Sequence, residues 1–401
     1  MAKYFFEART ASGETKEGEL EAKDVYELAH ILKKEGLFLI KIKEKKEGFK
    51  FSFPSFGVPL SEKMFFTRNL ATMVGAGVSL PKALASLKEQ VKNKKFKKAI
   101  GKIEEEVIKG KNFSDALSFY PQIFSEFYQN MIKVAEEAGN LEEVLEILAR
   151  QLEKENELKS KIKGAMIYPA VILTAMFGIG ILMLVIVVPK LAETFKELEI
   201  ELPMTTKIVI GLGNFLSQKW YLALASLVLF FFFFYRFLKT KTGKRIFDTL
   251  LLKTPVVSGL IKKTNSATIA RNLSSLLAGG ISLPRALEIT ANTLGNVFYR
   301  QTLTAAAEKV RKGERLSLFL KNYQKIYPLT LISMVEVGEE TGETSKILLK
   351  LADFYENEVS EATKNLTSII EPVLMLIIGG AVGFFAVSMV QPMYSMLQAI
   401  K

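Results

Sequence analysis

Residues 170–188 read AVILTAMFGIGILMLVIVV, a run without a charged side chain and with Thr174 as its one polar residue. A helix crossing about 30 Å of hydrocarbon needs roughly 20 such residues, and soluble helices seldom stay uncharged for so long. A second uncharged run, VLMLIIGGAVGFFAVSMV, fills 373–390. Prolines bracket both, Pro169 and Pro189 around the first, Pro372 and Pro392 around the second. Between them lies 220–235, WYLALASLVLFFFFFY, with Trp220 and Tyr221 at one end and Tyr235-Arg236 at the other. Aromatic belts and snorkelling arginines mark membrane interfaces. The middle run is shorter, and apolar residues 208–216 or Phe237 and Leu238 can lengthen it. Three transmembrane helices are expected.

Charge orients them. Residues 1–167 carry 29 basic and 25 acidic side chains, 190–219 four of each, and 239–365 19 basic against 12 acidic. Basic residues close to a span set its direction. Lys154, Lys159, Lys161 and Lys163 precede the first span, and Lys239, Lys241, Lys244 and Arg245 follow the second. The N-terminus, MAKYFFEART, lacks an apolar signal core. The long segments are therefore expected in the cytoplasm, with the 190–219 loop and the C-terminal tail outside. Much of the net charge of +12 is thereby explained as topology.

An internal repeat at an offset of 203 residues organises the rest. RNLATMVGAGVSLPKALASL at 68–87 aligns with RNLSSLLAGGISLPRALEIT at 271–290, with nine identities in twenty positions. MIKVAEEAGNLEEVLEILA at 131–149 aligns with MVEVGEETGETSKILLKLA at 334–352, and Pro169 and Pro189 align with Pro372 and Pro392. Tyr120-Pro121 and Tyr327-Pro328 stand 207 apart, which predicts a compensated length change there. A period this long, occurring twice, is a duplication and not a solenoid. Each copy reads as a helical bundle ending in a span. Gly75 and Gly77 stop a helix that begins near Ser61, and Ser79 can cap the next, with Pro81 in its first turn. Gly279, Gly280, Ser282 and Pro284 repeat that logic. Glycines at 178, 180, 379, 380 and 383 read as close packing sites within or between chains.

The fold expected is an all-α membrane protein: two homologous cytoplasmic helical bundles, three transmembrane helices and a small α+β N-terminal appendage. The expected boundaries are 1–50 for the appendage, 51–60 for a linker (FSFPSFGVPL), and 61–167 for the first bundle with its span at 168–189. A periplasmic loop at 190–219, a second span at 220–238 and a cytoplasmic connector at 239–263 follow. The second bundle covers 264–370, its span 371–392 and a periplasmic tail 393–401. In the appendage, Tyr4 to Ala8 and Phe38 to Ile42 read as strands, Ser12-Gly13 as a turn, and Asp24 with Glu27 as a capping box opening a helix that Gly36 ends.

Catalytic chemistry is sparse. Cysteine is absent and His30 is the one histidine, which removes thiolate sites and argues against a His-based metal centre or triad. No phosphate loop occurs, since Gly110-Lys111 and Gly243-Lys244 lack its other residues. No catalytic residue, cofactor or metal is expected. The repeated pairs Glu136-Glu137 and Glu339-Glu340 invite a catalytic or cation-binding reading; against it, they can cap a turn, bond a nearby arginine such as Arg68 or Arg271, or meet a partner. Arg68-Asn69 and Arg271-Asn272 read as loop ties or partner contacts, Gly139 and Gly342 as punctuation after the Glu pairs. Glu371 is an acid at a span edge, where Tyr168 stands in the first copy.

With the twin R-N-L…G-x-S-L-P-[KR]-A-L blocks and the twin [AG]-E-E-[AT]-G blocks at 135–139 and 338–342, the chain resembles the type II secretion F / type IV pilus platform family. Tyr168-Pro169 and the segment from Pro189 through Leu202-Pro203 fit the same pattern, and the likeness covers essentially the whole chain. Ala135 stands where the family usually has glycine, and Thr344 replaces the apolar residue that Leu141 supplies in copy one. The resemblance implies a non-enzymatic platform of the bacterial inner membrane, a homo-oligomer. Its implied partners are a hexameric assembly or retraction ATPase, pilin or pseudopilin subunits, other inner-membrane assembly proteins and membrane lipid. The alternatives are a transporter or channel subunit, for which the spans offer few polar residues, and a nucleic-acid binder using KNKKFKK at 92–98. The repeat lacks that run at 295–301, and no nucleic-acid partner is expected.

Overall fold

The computed structural model describes residues 2–10, 15–22, 25–34, 36–44, 57–197 and 203–399, which fall into two units, 1–57 and 58–401. In the first unit, strands β1 (Ala2–Thr10), β2 (Thr15–Ala22) and β3 (Leu37–Glu44) form an antiparallel sheet in the order β2-β1-β3. Helix α1 (Val25–Lys34) joins β2 to β3, and Ala8, Ala22, Leu32 and Leu37 are buried. Gly36, at φ +74°, makes the turn out of α1. Strand β2 was not anticipated, because opposite Glu17, Glu19 and Glu21 it offers only Leu20 and Ala22 as apolar residues, too weak an apolar signal to mark a strand. Ser12-Gly13 and Asp24 lie outside the described residues, as does 51–56 of the expected linker.

The second unit repeats one helical order. The first copy runs α2 (Leu60–Gly75), α3 (Leu80–Gln90), α4 (Lys94–Ile108), α5 (Phe113–Ser118), α6 (Glu126–Ala138) and α7 (Leu141–Leu182). A π-helical turn (Met183–Val187) leads into α8 (Val188–Glu197), then come α9 (Met204–Gln218), α10 (Trp220–Lys239) and α11 (Lys241–Lys253). The second copy runs α12 (Pro255–Ala278), α13 (Leu283–Thr293), α14 (Val297–Arg311), α15 (Leu316–Leu320), a 3-10 turn (Lys321–Tyr323), α16 (Leu329–Thr341) and α17 (Thr344–Ala399). Local chemistry recurs with the repeat. In α4, Phe96, Ala99, Ile100 and Ile103 share one buried face at helical spacing, and burying a large apolar side chain stabilises by about 1.5–3 kcal/mol. Asn93 accepts from the Lys95 and Phe96 amides, and Asn296 accepts from Phe298 in the same place on α14. Left-handed glycines pair across the copies: Gly77 with Gly280, Gly110 with Gly313, Gly139 with Gly342.

That register corrects one expectation. No length change interrupts the repeat near Tyr120. The amides of Ile123 and Phe124 both bond the Tyr120 carbonyl, and those of Ile326 and Tyr327 bond the Tyr323 carbonyl. Phe124 and Tyr327 are both fully buried. The matching residues are therefore Tyr120 with Tyr323 and Phe124 with Tyr327, and the two Tyr-Pro pairs are not equivalent. Ser79 and Ser282 hold N-cap positions, but neither hydroxyl accepts a capping bond. An N-cap oxygen serves the second or third amide of the helix, and Pro81 and Pro284 remove the second.

The two bundles share one continuous hydrophobic core running from Phe66 to Tyr355. Three helical segments are long and apolar enough to cross a membrane, within Leu141–Thr194, Trp220–Lys239 and Thr344–Val390. The outer two are not separate elements. Helix α7 passes from bundle core to span through Pro169, and α17 passes through Pro372 and Pro392 to Ala399, where a distinct tail was expected. Proline removes a helical bond, yet in hydrocarbon the backbone has no other partner and the helix runs on. The expected 190–219 loop is mostly helical, because Val209 of α9 buries itself with Val188 and Met389. Gly213 makes that approach possible, since a Cβ there would lie 2.6 Å from the Leu184 carbonyl. Thr206 Oγ1 donates to the Ser388 carbonyl at 2.5 Å, the carbonyl that Pro392, four residues on, leaves without a helical donor. By contrast, a Cβ at Gly178, Gly180, Gly379, Gly380 or Gly383 would meet nothing within 4 Å, so these glycines pack against no neighbour among the described residues.

Candidate functional site

The seam between the bundles gathers the polar chemistry. Helix α2 lies antiparallel to α7, and α12 to α17, so an arginine on the first helix of each pair faces a carboxylate on the second. Arg68 meets Glu153 at 2.7 Å, and Arg271 meets Glu356 at 2.8 Å through both Nε and Nη2. The four residues keep the 203 offset, and Arg271 also bonds Asp353. The environments differ. The Arg68 side chain is 57% exposed and that of Arg271 10%, because α7 of the first copy covers the second site. Burial alone would lower the Arg271 pKa, but hydrogen bonds to Glu356 and Asp353 outweigh it and the pKa is raised.

Asn272, beside Arg271, reaches the other copy. Gln151 of α7 donates to Asn272 Oδ1 at 2.6 Å and accepts from Ser275 Oγ at 3.2 Å, while Asn272 Nδ2 donates to Thr293. Lower on the seam, Arg285 bonds Glu126 at 2.9 Å and Glu288 at 3.1 Å, and Asn292 also donates to Glu126. Arg285 and Arg311 hold the Glu288 carboxyl below the usual carboxylate range. At Gly279 a Cβ would come within 2.8 Å of Met131, so the backbone of the α12–α13 turn rests directly on α6. A cleft of about 400 Å³ opens along the seam, lined by Gln151, Lys154, Ile162, Ala267, Arg271 and Asn272 among others. Asn69, the counterpart of Asn272, is half-buried and, among the described residues, donates to the Phe65 carbonyl one turn back.

The Glu pairs lie at the far end of each bundle and meet neither Arg68 nor Arg271. Glu136 accepts from the Phe113 and Ser114 amides, the latter at 2.9 Å, which caps α5. Glu339 accepts from the Leu316 and Ser317 amides at 2.6 and 3.1 Å and from Ser317 Oγ, which caps α15. The first carboxylate of each pair thus supplies the cap that the residue before the short helix does not. Glu137 is exposed, and Glu340 lies 3.8 Å from Arg315, both side chains being exposed. Gly139 and Gly342, at φ 71° and 72°, close α6 and α16 in the left-handed conformation. Glu371 is exposed on α17, without a bonding partner among the described residues. Among the described residues no cluster of acids and histidine is arranged to hold a metal.

The site residues not anticipated are Gln151, Glu153, Glu356, Glu126 and Arg285. Glu153 and Glu356 were visible as a pair at offset 203. Gln151 and Glu126 carry a different signal, since their repeat positions hold Phe354 and Leu329. The polar pair marks the covered face of copy one, whereas Phe354 and Leu329 are 48% and 64% exposed on the open face of copy two.

The description "Type II secretion system (T2SS), protein F" matches residues 66–189 and 269–392, and "Type II secretion system protein F, N-terminal domain" matches 1–43. The chain is 37% identical to the type IV pilus assembly protein PilC of Thermus thermophilus, over 99% of this chain and 98% of that one. It is 34% identical to the protein of the same name in Myxococcus xanthus, over 100% and 96% of the two chains. The type II secretion system protein F of Vibrio cholerae is 29% identical over 99% and 98%.

Proposed function

Because the chain belongs to the type II secretion system protein F family, we propose that it is the inner-membrane platform of a type IV pilus or type II secretion machine. In this reading it couples a cytoplasmic assembly ATPase to insertion or extraction of pilin or pseudopilin subunits. The bundles and the N-terminus face the cytoplasm, the C-terminus faces the other side, and two or more copies assemble. One observation carries the reading: α7 and α17 each run unbroken from the shared bundle core into a span. A displacement imposed on the core therefore has a stiff path into the bilayer, where helix interiors keep all their backbone bonds. The open apolar face around Leu329, Val337 and Phe354 suits a soluble protein partner, since exposed apolar patches of this kind mark interaction surfaces.

The test separates binding from transmission. Two glycines inserted after Gly164 interrupt α7 between core and span. Co-purification with the cognate ATPase should persist while assembled pili or secreted substrate fall at least tenfold. The paired change Leu329→Asp and Phe354→Asp should instead reduce co-purification. Wild-type assembly by the insertion variant would sink the coupling reading.

A further inference from the structure

The first bundle carries a basic edge whose position the helix pairing fixes. Arg68 of α2 meets Glu153 of α7. Six residues earlier on α2, Glu62 accepts from the Asn93 amide, which starts α4, at 3.2 Å. Because the helices are antiparallel, six residues at 1.5 Å place this point level with about residue 159 of α7. Lys163, the last charge before the uncharged run, is then only about 6 Å away along the helix axis. The second copy supports the same placement independently. There the matching end of α14 abuts α11, with the Val297 amide bonded to Asp248 at 2.8 Å and Arg245 lying over the Phe298 ring. Helix α11 begins two residues after the middle span ends at Lys239, so this end of each bundle faces the bilayer.

In copy two α11 covers that end. Within the second unit no described element covers it in copy one, and the segment 92–98 puts five lysines there with no acid among them. Lys97 bonds Glu89 at 2.7 Å, whereas Lys92, Lys94 and Lys98 are exposed and have no ion pair among the described residues. Three unneutralised ammonium groups lie within about one Debye length of the lipid surface, where screening by salt is incomplete. We propose that this end of the first bundle binds anionic phospholipid headgroups of the adjoining leaflet through Lys92, Lys94 and Lys98. The gap of about one helical turn, 5.4 Å, leaves no room for a nucleic-acid duplex between lysines and lipid. The proposal needs only that α7 cross a bilayer, so its outcome is independent of pilus or secretion activity.

The experiment uses the full chain in nanodiscs of phosphatidylcholine alone or mixed with phosphatidylglycerol, whose anionic headgroup attracts basic side chains. Amide exchange over residues 88–102 and the number of phosphatidylglycerol molecules retained in native mass spectrometry are the readouts. Phosphatidylglycerol should slow exchange at low salt, and the effect should fade as salt rises. Each of Lys92→Glu, Lys94→Glu and Lys98→Glu should lower lipid retention about fivefold. Lys109→Glu, at the opposite end of α4, should leave it unchanged, and the milder Lys94→Gln and Lys98→Gln pair guards against misfolding. Equal protection in both lipids, indifference to salt, or retention unchanged in the variants would overturn the proposal. Protection by added duplex DNA in preference to phosphatidylglycerol would overturn it as well.

Discussion

Arg68 and Arg271 occupy equivalent places and make equivalent bonds to Glu153 and Glu356, yet solvent makes them different residues. An exposed ion pair contributes about 0–1 kcal/mol, whereas removing one partner of a buried pair costs about 3–5 kcal/mol. Arg68→Ala should therefore leave the thermal midpoint of the solubilised protein within about 3 °C of wild type, and Arg271→Ala should lower it several times further. The carboxylate caps invite a second comparison. Glu136→Ala should cost about 1–2 kcal/mol. Glu339→Ala should cost more, because Ser317 Oγ loses its acceptor along with two amides. Denaturant midpoints would check the order. The Glu pairs stood out in the sequence because they are repeated and flank glycine, but their partners did not. The amides they cap lie 22 and 23 residues upstream, and nothing in local spacing signals so distant a bond.

At the scale of elements, helix type and order were legible because apolar positions recur at helical spacing and glycines stand where chain direction reverses. Boundaries around the prolines were not. Pro169, Pro372 and Pro392 look like helix ends by soluble-protein rules, and hydrocarbon overrides those rules. Pro392 also creates a requirement that the sequence does not advertise, a donor for the Ser388 carbonyl, which Thr206 meets from α9. Thr206→Val keeps the shape and removes that donor. It should weaken the α9–α17 contact by about 1–3 kcal/mol. Disulfide trapping between Val209→Cys and Met389→Cys, which are neighbours in the same cluster, should then slow measurably. Gly213→Val should do the same through steric contact with Leu184 and Val188. Gly380→Ala, with open space around it, should have no effect.

Over the whole molecule, duplication explains the bundles but not their arrangement. Equivalent helices pack alike within each copy, whereas at the seam α6 and α7 of one copy meet α12, α13 and α17 of the other, so that α7 and α17, equivalent in sequence, have different surroundings. A repeat alignment reports similarity and so is silent about a surface where the copies must differ. The informative positions are those that break it, Gln151 against Phe354 and Glu126 against Leu329. Gln151→Leu should strand Asn272 and Ser275 without their partner and cost about 2–3 kcal/mol, read as a single shifted unfolding transition if the core is one unit. Acid should act on the same seam. With the Glu288 pKa held low by Arg285 and Arg311, its contribution is present above the ordinary carboxylate pKa of about 4 and lost as pH falls below it. Since the Glu288 side chain is 28% exposed, the loss should be small in thermal melts between pH 5 and 3. One dimension of the molecule has a mechanical meaning of its own. With 56 residues, α17 is about 84 Å long at 1.5 Å per residue. Its buried contacts with the bundle reach Val359 and Thr363, and the 36 residues beyond them, about 54 Å, turn a tilt of about 5° into a sweep of about 5 Å at the far tip, close to one helical pitch of 5.4 Å. A tilt of a few degrees at the bundle is thus matched in scale to a displacement of about one helical turn within the bilayer.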